Sequence, residues 1–231
     1  MQQQADTGLP LQYDISQIAY LCKTAEFVPE EGDIRLYSHE ECLKDKKKQA
    51  ANFRHIEEES NKYAASRITQ EVDDLTIVVN PPYPPLTEAE LDHSFDLPYT
   101  RLPHPKYKGK RIPAYDMIKF SVNIHRGCFG GCSFCALTFH QGRIVQVRSH
   151  ESILREAREM AKQPDFKGYI HDVGGPTANF RRPACDGQLK RGVCPTKQCL
   201  FPSPCKNLVA DHTDYIALLQ ALRALPGVKK V

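Results

Sequence analysis

The chain has 231 residues, 41% of them apolar, and a formal charge of +3 at pH 7. That is enough apolar material for one large domain, or for a domain with an extension, and the small, interleaved positive charge gives no reason to expect a nucleic-acid binder. No run of eighteen apolar residues offers a membrane span, and the opening MQQQADTGLP lacks the basic-then-apolar plan of a signal peptide, so a soluble, cytoplasmic protein without membrane partners is expected.

Residues 1 to about 36 read as an irregular start with one short apolar pattern, Ile15, Ile18 and Leu21. Ser38-His39-Glu40-Glu41 is a capping-box signature. A helical pattern follows to about Val72, with Leu43, Ala50, Phe53 and Ile56 near one face. Lys46, Lys47, Glu58 and Glu59 cover the rest; they could form a basic patch, but a solvated face accounts for them. Leu75–Val79 is a β-branched strand that stops at Asn80-Pro81-Pro82. Eight prolines between 80 and 116 predict an extended surface lead-in, pinned by Tyr83, Phe95, Tyr99 and Tyr107.

Periodicity becomes regular beyond this point. Ile118 to Ile124 alternates as a strand, and the helix opened by Ser149 has the inner face Ile153, Ala157, Met160 and Ala161. Gly168–Val173 is a second strand, closed by Gly174-Gly175-Pro176. An insert with four cysteines runs from about 180 to 209. Thr213 or Asp214 opens a helix carrying Ile216, Leu219, Leu222 and Leu225, and Val228–Val231 begins a third strand. This alternation predicts an α/β fold with parallel βαβ units. Three parts follow: a helical extension over 1–74, the proline-rich lead-in over 75–116, and the start of a barrel over 117–231. Two βαβ units do not close a barrel, and a chain that stops inside a strand leaves an edge bare. A fragment of a longer protein is therefore expected.

Nine cysteines are many for this length, and seven of them lie between 128 and 205. Without an export signal a disulfide framework is not expected, and clustered cysteines point to metal or cluster ligation. The segment His125-Arg126-Gly127-Cys128-Phe129-Gly130-Gly131-Cys132-Ser133-Phe134-Cys135 places three thiols at Cys-x3-Cys-x2-Cys spacing. Gly127, Gly130 and Gly131 would allow positive φ and close approach to a cubane. Electron-transfer clusters use four thiolates; three leave one iron open, as an open position does at catalytic zinc. A zinc site completed by His125 or His140 is the alternative. His140, Gln141 and Arg143 either contact substrate or cofactor or brace the loop. Asp172 suits a loop-orienting acceptor better than a catalytic base. Cys185, Cys194, Cys199 and Cys205, separated by eight, four and five residues, could hold zinc or an auxiliary iron–sulfur cluster, or be ordinary structural cysteines. Lys190, Arg191 and Lys197 could lower their thiol pKa values, though an exposed basic loop explains them as well. Cys22 and Cys42 read as packing residues.

The Cys128, Cys132 and Cys135 spacing, with Phe134 before the last cysteine, resembles the radical SAM superfamily signature. HRGCFGGCSFCALTFHQGR at 125–143, DVGGPTANF at 172–180, Asn80-Pro81-Pro82 and Leu97-Pro98-Tyr99 resemble the YgiQ family of radical SAM proteins, over roughly residues 75 to 231. The resemblance implies the N-terminal part of a radical SAM partial (β/α) barrel, preceded by the helical and proline-rich extension. It implies that Cys128, Cys132 and Cys135 each ligate one iron of a [4Fe–4S] cluster whose fourth iron takes S-adenosylmethionine. Phe134 would lie near the adenine, and Gly174 and Gly175 would hold the methionine amino group. Pro176 stands where the superfamily usually has an acidic residue. The implied reaction is reductive cleavage to a 5′-deoxyadenosyl radical, fed by an electron donor such as a flavodoxin or ferredoxin and directed at an unknown substrate. Members of the family are typically longer. A non-catalytic zinc- or iron–sulfur-binding module is the competing reading.

Overall fold

A computed structural model describes residues 13–177, 180–195 and 198–231. The chain divides into two compact units, Met1–Pro84 and Pro85–Val231.

The first unit is built on a four-stranded sheet in the order β1-β4-β3-β2. Its strands are β1 (Ala19–Lys23), β2 (Ile34–Arg35), β3 (Ile68–Val72) and β4 (Leu75–Val79). β3 and β4 form an antiparallel hairpin with Val72 opposite Leu75, and Asp73 takes φ +52° in the turn, as tight hairpins demand. β4 pairs antiparallel with β1, and β2 lies parallel to β3. Arg67 ties the sheet's margin together through Asp33 and Glu30, and its guanidinium holds the Asp33 carboxyl below the usual carboxylate range.

Two expectations for this unit are corrected. The irregular start contains β1 and β2, and the long helix to Val72 is two helices, His39–Lys44 and Lys46–Ser60, followed by β3. Ser38 caps the first helix with both bonds of the capping box, at 3.2 Å and 2.9 Å. Asp45, in extended backbone, interrupts the helical run and caps the second helix by accepting from Lys47 N–H. The apolar positions also face the other way. Leu43, Phe53 and Ile56 are exposed, while Asn52 and Glu59 are buried. Asn52 accepts from Tyr37 N–H and donates to Tyr37 C=O; Glu59 accepts from Ser66 N–H and pairs with Lys62.

In the second unit the proline-rich lead-in is less extended than its composition suggests. It holds the helix Glu88–Phe95, opened by a Thr87/Glu90 capping box, and the short helix Pro113–Ile118 with proline in its first turn, the position where a missing N–H costs nothing. Phe95 does pin the segment, lying under the guanidinium of Arg148 at 3.9 Å. Tyr83, Tyr99 and Tyr107 are exposed.

β5 (Ser121–Asn123) and β8 (Asp172–Gly174) are parallel, Val122 opposite Val173. A further parallel bridge joins Tyr169 to Lys230. The helix His150–Ala161, capped by Ser149, and the helix Thr213–Arg223 connect these strands. Phe120, Val122, Ile124, Ile153, Ala157, Met160, Ile170, Val173, Leu218, Leu222 and Leu225 form one buried cluster between strands and helices. The alternation read in the sequence thus becomes a mixed α/β core, with no closed barrel among the described residues. No helix of the described residues is long and apolar enough to cross a membrane.

Candidate functional site

The cysteine loop begins where β5 ends. β6 (His125–Arg126) turns out of the sheet and pairs antiparallel with β7 (Gln146–Val147). The loop between them is therefore closed at its base, and Cys128 N–H to Gly142 C=O, 3.0 Å, adds a further tie. Gly127 has φ +82°, and a Cβ there would stand 2.0 Å from the Ile144 carbonyl oxygen. Gly131 is also at positive φ, with Gln198 and Arg143 packed against it. Gly130 is not, contrary to expectation. What it contributes is space: a Cβ there would lie 3.3 Å from Cys128 Sγ and 3.6 Å from Cys132 Sγ, so two of the three sulfurs converge on the bare backbone. Cys128 Sγ also accepts from Gly130 N–H at 3.4 Å, and Cys135 N–H donates to Cys132 C=O at 3.1 Å. Cys132 is exposed, Cys128 and Cys135 are half-buried, and all three are free thiols.

The aromatic residues of the loop face opposite ways. Phe129 is buried against Val145, Ala184, Cys199 and Phe180, meeting Phe180 edge-on at 5.3 Å. Phe134 is 89% exposed. His140 is exposed on the short helix Leu137–Gln141, whereas Arg143 is buried behind the loop.

The Gly174-Gly175 turn is locked to this loop by two residues whose part in it was not legible in the sequence. The His125 ring packs on Gly175 so closely that a Cβ there would sit 2.5 Å from Cε1. His125 Nε2 accepts from Thr177 N–H at 3.2 Å, and Thr177 Oγ1 donates to Gly127 C=O at 3.1 Å. With Nε2 an acceptor, neutral His125 carries its proton on Nδ1, a buried donor with no partner among the described residues. Burial, and then the charge of Arg181, push the His125 pKa down to about 4. This committed Nε2 weakens the reading of His125 as a fourth zinc ligand. Asp172 is exposed, with Oδ1 3.3 Å from the point where a Gly174 Cβ would stand. Ala178 and Asn179 of the 172–180 string, and Lys197 of the insert, lie outside the described residues.

Two ion networks frame the site. Arg148 is wholly buried and donates to Asn123 C=O at 2.7 Å and to Ser152 Oγ at 2.9 Å, while pairing with Glu156. Burial pushes its pKa down to about 10. Arg181 pairs with Asp214 and donates to Arg148 C=O at 2.6 Å. In the insert, burial first, and then the charges of Cys185, Cys194 and Cys205, raise the Cys199 thiol pKa. Among the described residues, no three His, Cys, Asp or Glu side chains are grouped so that they could hold a metal ion. The first unit holds a cleft of about 540 Å³ lined by Tyr13, Tyr20, Asp33, Arg67 and Asn80; its Arg67 and Asp33 charges are spent on each other.

The sequence matches the family described as Radical SAM N-terminal over residues 2–121. It is 62% identical to a UPF0313 protein of Bacteroides thetaiotaomicron, over 94% of this chain and 35% of that one. A UPF0313 protein of Porphyromonas gingivalis is 55% identical over 94% of this chain and 34% of its own length. One of Methanocella arvoryzae is 50% identical over 81% of this chain and 31% of its own. The chain spans about a third of the length of these curated relatives. The chain belongs to the radical SAM superfamily, in its UPF0313 (YgiQ-like) family.

Proposed function

We propose that this chain is the cluster-bearing part of a radical SAM enzyme, with Cys128, Cys132 and Cys135 as the three protein ligands of a [4Fe–4S] cluster. The observation that carries the reading is the loop itself: three free thiols on a hairpin-closed excursion at the C-terminal end of a parallel strand, two of them converging on Gly130. That strand end is where parallel α/β sheets place their chemistry. The donor set fits the group: three free thiols lie on one loop, and the missing Cβ of Gly130 leaves room beside Cys128 Sγ and Cys132 Sγ for the sulfides of a cluster. When bound, the cluster and S-adenosylmethionine would supply reductive C–S cleavage and a 5′-deoxyadenosyl radical.

The chain's own residues bind and orient. Gly127 lets the loop leave β6 against Ile144, and the His125–Thr177 bond holds the Gly174-Gly175 turn beside it. Gly174 and Gly175 would receive the methionine amino group through backbone carbonyls, since Pro176 offers no carboxylate. Phe134, exposed on the loop, would meet the adenine. The electron would come from a donor such as a flavodoxin or ferredoxin; the substrate is not specified by these residues.

The test is anaerobic reconstitution with iron and sulfide. Broad brown absorbance is expected, and 5′-deoxyadenosine on adding dithionite and S-adenosylmethionine; replacing any one of Cys128, Cys132 or Cys135 by Ala should abolish both. Zinc in place of iron and sulfide, or a loaded protein that forms no 5′-deoxyadenosine, would overturn the reading in favour of a non-catalytic metal module.

A further inference from the structure

β5 and β8 sort their side chains by face. Val122, Ile124 and Val173 belong to the buried cluster with the helices, so strand alternation puts Ser121, Asn123, Asp172 and Gly174 on the opposite face. Asn123 stands across from Gly174 in the register, and Ser121 across from Asp172. Asp172 is exposed, and its carboxylate lies along the strand toward the glycine turn: Oδ1 and Oδ2 are 3.3 Å and 3.8 Å from the point where a Gly174 Cβ would stand. The loop-orienting part expected of Asp172 finds no donor, because no hydrogen bond or ion pair reaches this carboxylate from the described residues. Asn123 Oδ1 is buried and has no hydrogen-bond partner among them either.

Two N–H groups around the turn are, by contrast, already committed. Ile124 N–H donates to Gly174 C=O at 2.9 Å, and Thr177 N–H to His125 Nε2 at 3.2 Å. The His125 ring fills the bare side of Gly175. Gly174 is therefore the open member of the pair, and what borders its open side is oxygen: a full carboxylate on its own strand and an amide oxygen on the next. Such a surface suits a ligand group that carries N–H donors, and a carboxylate without a counter-charge binds such a group more strongly than a neutral carbonyl does. We propose that Asp172 is a binding residue for the methionine amino group of S-adenosylmethionine, supplying the carboxylate that Pro176 does not. The assignment rests on the radical SAM reading above and adds a side chain to the backbone carbonyls of the turn, one of which, Gly174 C=O, already serves the sheet. It also gives Gly174 a reason to be glycine: any Cβ there would stand against the carboxylate, in space that glycine leaves to a ligand.

The test is equilibrium binding to the cluster-loaded protein, followed by calorimetry, with S-adenosylhomocysteine and 5′-methylthioadenosine as probes. Both carry the adenosyl thioether, and only the first carries the amino acid. Asp172→Asn should weaken S-adenosylhomocysteine about tenfold or more, the order expected when a hydrogen bond to a charged group is lost. It should leave 5′-methylthioadenosine binding and the thermal midpoint unchanged, since the carboxylate has no partner among the described residues to lose. Unchanged S-adenosylhomocysteine binding would make Asp172 a solvated carboxylate, and equal weakening of both probes, or a lowered midpoint, would make it a structural one; each result overturns the inference. An unaltered protein that takes up no cluster, or that once loaded binds neither probe, overturns the radical SAM reading itself, and the assignment with it.

Discussion

At Gly127 the φ of +82° and the Ile144 oxygen at 2.0 Å act together. Gly142 has a similar φ of +78° but nothing within 4 Å of a Cβ. Gly142→Ala should therefore cost only the left-handed backbone term, about 1 kcal/mol, while Gly127→Ala should cost about 2 kcal/mol or more. Denaturant midpoints of the two variants check this, and equal losses would refute the steric account. His125 makes a pH prediction. Its folded pKa of about 4 lies below the ordinary 6.5. Between those values the unfolded chain takes up a proton that the folded chain refuses, so stability falls as pH drops through that window. The loss should approach about 3 kcal/mol at full effect. His125→Asn should show a flatter dependence between pH 7 and pH 4.5 in urea titrations. The glycines of the loop were legible because their pattern is local. The role of His125 was not, because its partner Thr177 stands 52 residues away.

Elements followed local signals wherever those signals were self-contained. The Ser38 capping box was readable, and the identical device at Thr87 was hidden by the prolines around it. Ser38→Ala and Thr87→Ala should each cost about 1 kcal/mol, seen as a shift of thermal midpoint. The second helix shows the limit of periodicity: its buried face is set by Asn52 and Glu59 and their hydrogen bonds, not by its apolar residues. β3 was missed because Ile68–Val72 follows a helical run with no proline or glycine between them. Arg148 ties the helix His150–Ala161 to β5 through Asn123 and Ser152. Glu156→Gln removes the carboxylate paired with that buried guanidinium and with Arg101 and should cost roughly 3 kcal/mol, as broken buried pairs do. Denaturant unfolding of the variant measures it.

At the scale of the molecule the two units differ in what they bury. Leu36 and Val78 are the buried apolar side chains among the described residues of Met1–Pro84, whereas the second unit has an eleven-residue cluster. Expressed separately, residues 85–231 should unfold cooperatively, and residues 1–84 should show a lower midpoint or none; calorimetry on the two pieces decides. The sequence by itself determined the strand–helix alternation of the second unit, the helix starts at Ser149 and Thr213, and a thiol loop of superfamily spacing at a strand end. Those properties depend on neighbours within a turn or two, where composition and spacing suffice. Only the tertiary structure decided which helix face is buried, how His125 and Thr177 clasp the glycine turn, and that Cys199 of the insert packs with Phe129 behind the first loop. Such contacts depend on where distant segments are brought together by the folded core, and no periodicity within one segment records that.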